Sequence, residues 1–79
     1  MNYDTDKIDD AVLALLHLTS FEQAGVLRAW KGHDWEALGR LHEKGLIGDP
    51  VGKAKSVLLT EEGRRRSRKM FEQLFSRGA

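Results

Sequence analysis

Residues 41–63 read LHEKGLIGDPVGKAKSVLLTEEG, and the way this stretch divides decides the fold. It opens at the end of a helix predicted over 34–44, where Trp35, Leu38 and Leu41 fall on one face and Asp34 is placed to cap the start. With Gly45 as the left-handed residue after the helix, Leu46 and Leu41 take the two positions that make the hydrophobic contact of a Schellman motif. Leu46 and Ile47 then begin a strand over 46–49, which Asp49-Pro50 breaks. Gly52, Lys53, Ala54 and Lys55 form an exposed basic connection. SVLL returns as a strand over 56–59. Thr60 ends it and caps a helix over 61–76 whose first turn is Glu61-Glu62. Gly63, Ser67, Met70, Phe71 and Leu74 share one face of that helix. Its small residues come first, so it should approach another element closely near its start.

Upstream, a helix is predicted over 6–18, with Ile8, Val12, Leu15, Leu16 and Thr19 on its apolar face and Asp4 or Thr5 as cap. Ser20 followed by Gln23 matches a capping box, which predicts a short helix over 21–29, weakened by Gly25. WKGHD (30–34) reads as a connector. With no internal repeat, low-complexity run or linker, residues 1–79 are expected to form a single domain.

The absence of Cys excludes disulfides and thiolate metal sites. The opening MNYDTDKIDD is polar and acidic, unlike a signal peptide, and no apolar run approaches a membrane span; no membrane association and a cytoplasmic protein are the expectation. The net charge of +1 conceals an asymmetry. Residues 1–36 hold seven acids and three bases, whereas residues 37–79 hold ten bases and five acids. An anionic partner explains such a separation, and so do oppositely charged elements lying side by side.

The order helix, helix, helix, two-stranded hairpin, helix and the residues Leu41, Gly45, Leu46, Ile47, Leu59, Thr60 and Gly63 resemble the L-x-x-x-G-L-I … L-T-x-x-G pattern of MarR- and PadR-type winged helix-turn-helix regulators. The match is good over 34–66; over the first two helices it rests on order and length alone. The whole chain is also similar to a family of small bacterial proteins of unknown function. The resemblance implies a mainly α fold with a small β-hairpin: three helices, a two-stranded wing and a C-terminal helix. It further implies a homodimer that binds duplex DNA and regulates transcription through the third helix (34–44) and the wing (50–56).

On that reading the DNA-binding candidates are Arg40 and Lys44 on the third helix, Lys53 and Lys55 on the wing, and Lys31 and His33 nearby. Glu36 and Glu43 work against them, since both oppose phosphate and both are spaced to reach Arg40 along the helix. No Asn, Gln, Ser or Thr lies on the helix's solvent side to pair with bases. Exposed lysines on a short hairpin also serve solubility. RRRSRK (64–69) is diluted by Glu61–Arg65, Glu62–Arg66 and Arg68–Glu72, all spaced four apart. Leu13, Phe71 and Phe75 are the dimer-interface candidates, being apolar positions on the first and last helices. Trp30 and Trp35 are expected to pack in the core and its hinges. His33 and His42 are too far apart for a helical metal face, no Ser has a His-acid arrangement beside it, and no phosphate loop is present, so neither cofactor nor catalytic residue is expected. The alternative to a DNA-binding regulator is a non-enzymatic adaptor that binds a protein partner.

Overall fold

The computed structural model describes residues 2–78. In chain order it contains α1 (Thr5–Leu18), β1 (Ser20–Gln23), β2 (Val26–Trp30), α2 (Trp35–Glu43), β3 (Ser56–Leu58) and α3 (Glu61–Phe75). Two antiparallel pairings join the strands in the order β1-β2-β3. The described residues thus make three helices and a three-stranded sheet, where four helices and a two-stranded wing are expected.

The difference lies in residues 20–30. Ser20 does not open a helix; its hydroxyl donates to the His17 carbonyl at 2.7 Å and so closes α1. The chain then alternates. Phe21, Gln23, Val26, Arg28 and Trp30 point to one face of the sheet, whereas Leu27 and Ala29 point to the other and join the core. Ala24 and Gly25 form the two-residue loop, both at positive φ (53° and 82°) as a type I′ turn demands. The capping pattern and the alternation compete in this stretch. Alternation wins because β3 supplies a strand edge for β2.

The left-handed backbone at Ala24 opposes its Cβ by about 1–2 kcal/mol. Ala24→Asn, which tolerates this conformation and completes the favoured Asn-Gly pair, should therefore stabilise the protein by roughly 0.5–1 kcal/mol. Urea unfolding reads the difference, and a lowered midpoint would count against this loop geometry.

The 41–63 stretch folds largely as it reads. The Gly45 N–H donates to the His42 carbonyl and the Leu46 N–H to the Leu41 carbonyl, both at 3.0 Å, with Gly45 at φ 76°. These two bonds are the Schellman pair. Ile47 bridges Leu59 antiparallel, and the Gly48 N–H donates to the Leu58 carbonyl at 2.8 Å, so the 46–48 segment lies along the edge of β3 that β2 leaves open, but as an isolated bridge and not as the strand expected over 46–49. Asp4, Asp34 and Thr60 cap the three helices, each accepting from the backbone N–H three residues on.

One face of the sheet and the three helices enclose the core, which includes Val12, Leu13, Leu16, Leu38, Leu41, Leu46, Val57 and Leu59. On α1 the buried residues are Asp9, Val12, Leu13, Ala14 and Leu16. Val12 and Leu16 lie in the core as expected, whereas Ile8 is exposed, Leu15 and Thr19 are only half-buried, and Asp9 and Leu13 complete the buried face instead. Leu13 is fully buried within its own chain, which removes it from the expected dimer interface. α3 approaches the α2–β3 connection at Gly63, against the Leu46 carbonyl, as its run of small residues predicts. The two tryptophans correct a further expectation. Trp30 and Trp35 are 52% and 56% exposed rather than core.

Candidate functional site

The six basic candidates separate into two groups. Arg40 on α2 and Lys44 just past its end reach toward Asp9 on α1, whose side chain is 1% exposed. Arg40 Nε lies 2.9 Å from both Asp9 oxygens, its terminal nitrogen 2.8 Å from Oδ1, and Lys44 Nζ 2.9 Å from Oδ2. Lys44 also reaches Asp6 at 3.1 Å. Burial alone would raise the Asp9 pKa, but the hydrogen bonds and charges of Arg40 and Lys44 outweigh it and hold the carboxyl below its ordinary value. The Asp9 hydrogen bond in turn raises the pKa of both cations. The opposite charges of α1 and α2 thus meet inside the fold. Neither Glu36 nor Glu43 forms an ion pair with Arg40, although the sequence places both in reach of it.

Lys31 is likewise occupied. Its Nζ donates to the carbonyls of Pro50 at 2.7 Å and Gly52 at 3.1 Å, which ties the 49–55 loop to the end of β2. His33 is half-buried, and burial pushes its pKa down, which disfavours the charged form that would pair with phosphate.

Lys53 and Lys55 differ from all of these. Both are exposed on the loop that Lys31 fastens, and neither forms an ion pair among the described residues. Between this loop and the end of β2 lies an open groove of about 480 Å³, lined by Trp30, Lys31, Lys53 and Lys55 together with Gly32, Gly52 and Ala54. It has an aromatic wall, a basic rim and no acidic lining. The basic connection is visible in the sequence. The exposed tryptophan beside it is not, because a tryptophan near a turn reads more readily as core.

The 64–69 cluster is partly neutralised. Arg64 pairs with Glu22 on β1 at 3.2 Å, Arg68 with Glu72 at 3.3 Å, and Arg65 with Glu62. The Arg68–Glu72 pair follows the four-residue spacing; the partners expected for Arg65 and Arg66 do not form. At the dimer candidates, Phe71 is half-buried against His17, with ring centroids 5.2 Å apart, and Phe75 is 50% exposed. No group of three potential metal ligands occurs among the described residues, and none of their helices is long and apolar enough to cross a membrane.

The family described as "Domain of unknown function (DUF6429)" matches residues 4–77. The chain is also 58% identical over 77 residues to "Uncharacterized protein y4hR" of Sinorhizobium fredii (strain NBRC 101917 / NGR234), covering 98% of this chain and 100% of that protein. No solved structure matches. The resemblance to MarR and PadR regulators, good over 34–66, does not extend to the expected second helix over 21–29, which is a β-hairpin here. With the family matching almost the whole chain, the protein belongs to DUF6429.

Proposed function

We propose that this protein is a small non-enzymatic module that binds DNA phosphates through the loop following α2, in the manner of a regulator's wing rather than through a base-reading helix. The observation that carries this reading is the division among its cations. Arg40, Lys44 and Lys31 are held by groups of the protein itself, while Lys53 and Lys55 remain exposed on a fastened loop beside a groove without acids. The exposed side of α2, with Glu36 and Glu43, argues against its entry into the major groove. A role in transcription regulation rests on the resemblance of the 41–63 stretch.

Fluorescence anisotropy with mixed-sequence duplexes at about 50 mM salt tests the reading, since electrostatic binding is strongest at low salt. Lys53→Ala with Lys55→Ala should weaken binding to all sequences alike and reduce the slope of log K against log salt by about 0.9 for each phosphate no longer neutralised. No binding by the folded protein at tens of micromolar would sink the reading. That result would favour the protein-binding adaptor, which draws support from Trp35, exposed beside Glu36 on α2. The exposed Leu74 and Phe75 at the end of α3 make self-association part of the same proposal. Sedimentation showing only monomer at high micromolar concentration would remove that part alone.

A further inference from the structure

The outer face of the sheet has a composition that the fold itself does not need. The helices pack with Leu27, Ala29, Val57 and Leu59 on the inner face. Strand alternation turns Phe21, Arg28, Trp30, Ser56 and Leu58 outward. The Phe21 and Trp30 rings lie 5.3 Å apart, centroid to centroid, tilted by 40°. Arg28, directly opposite Phe21 in the register, is held by Ser56, with Nε 2.7 Å from the hydroxyl and Nη2 2.9 Å from the carbonyl. The face therefore presents one ring propped by another next to a guanidinium of set orientation, with Trp30 still 52% exposed. At the same end of β2, the Lys31 N–H donates to the Lys55 carbonyl at 3.0 Å, bringing the basic loop alongside Trp30.

We infer that this face binds single-stranded nucleic acid, an unpaired base stacking on Trp30 while Lys53 and Lys55 take the adjoining phosphates. The inference rests on the proposed phosphate-binding role of the loop and adds that bases, not only backbone, are engaged. Charge complementarity selects the occupant, because a groove with an aromatic wall, a basic rim and no acid suits a polyanion that carries flat rings. A single strand offers its base faces; a duplex buries them in its own stack. Stacking on an exposed aromatic ring is tolerant of sequence and is the sheet-face device of single-strand binders.

The test uses the full chain with oligonucleotides of one mixed sequence, supplied as single-stranded DNA, single-stranded RNA and duplex DNA. Trp35→Phe leaves Trp30 as the sole tryptophan. Either single strand should quench its fluorescence on binding, and the duplex should not. Trp30→Leu should weaken single-strand binding by roughly 5- to 100-fold, the range expected for loss of one stacked base, with duplex binding unchanged and Trp30→Phe restoring much of the loss. Lys53→Ala with Lys55→Ala should weaken both. Salt-dependent binding of both forms, with no Trp30 quenching and no effect of Trp30→Leu, would overturn the stacking inference and leave phosphate binding standing. Absence of any binding would overturn both. The quenching measurement requires no change at Trp30, so it holds even where Trp30→Leu disturbs the fold.

Discussion

Gly63→Ala should destabilise the protein by about 3 kcal/mol or more, at the upper end of the cost of overpacking a close contact. A Cβ at residue 63 would sit 1.8 Å from the Leu46 carbonyl oxygen and 2.7 Å from its carbon. Both are backbone atoms, so no side-chain rotation relieves the overlap. Moving α3 away would also pull on Thr60, whose N–H donates to the Leu46 carbonyl at 3.1 Å and whose hydroxyl lies 2.8 Å from the Gly45 carbonyl. The sign is informative, because an unhindered glycine inside a helix gains about 0.5–1 kcal/mol on replacement by alanine. Gly39 on α2 is such a site, with nothing within 4 Å of an added Cβ. Gly39→Ala should therefore raise the unfolding midpoint in urea while Gly63→Ala lowers it. A 79-residue domain holds about 4–12 kcal/mol in all, so the loss at Gly63 is a large fraction of the whole. Equal midpoints for Gly63→Ala and the parent would mean that α3 does not lie against Leu46 as described.

Asp9→Asn should cost about 2–3 kcal/mol near neutral pH, the scale of hydrogen bonds to a charged group. The substitution keeps the volume and removes the charge that Arg40 and Lys44 enclose. Because those partners hold the folded-state pKa of Asp9 below its ordinary value, its contribution is complete above the unfolded-state pKa of about 3.9. The contribution is lost as pH falls through the depressed folded-state value. The stability gap between parent and Asp9→Asn should accordingly be widest at pH 6–7 and narrow below about pH 4. Urea unfolding at neutral pH and near pH 3 measures it. A gap of the same size at both would mean that the substitution acts through packing and not through the ion pairs.

Legibility follows the range of the forces involved. The end of α2 at Gly45, the cap at Thr60, the close approach at Gly63 and the pairing of 46–48 with β3 are all legible in the chain. Each of the first three depends on what a residue can do within a turn of its neighbours: adopt positive φ, offer a hydroxyl, or lack a Cβ. The exposed lysines of the candidate site are equally plain, since a Gly- and Lys-rich connection between two apolar segments has no core to enter.

SFEQAGVLRAW (20–30) reads locally as a helix because Ser20 and Gln23 have the spacing of a capping box. It folds as a hairpin because Arg28, Ala29 and Trp30 find register partners in Leu58, Val57 and Ser56, far along the chain. That pairing, and not any local signal, turns Trp30 outward beside the basic loop. Asp9 gives the same lesson in charge. On α1 it looks like a favourable acid near a helix start, yet it is buried, because Arg40 and Lys44 converge on it from 31 and 35 residues away. Local chemistry was thus enough to place the end of α2, the start of α3 and the basic loop, since those outcomes depend on single residues and their near neighbours; it was not enough for residues 20–30. Which charges are paired inside the fold and which aromatic ring faces solvent followed from the folded arrangement, because burial and ion pairing depend on partners distant along the chain.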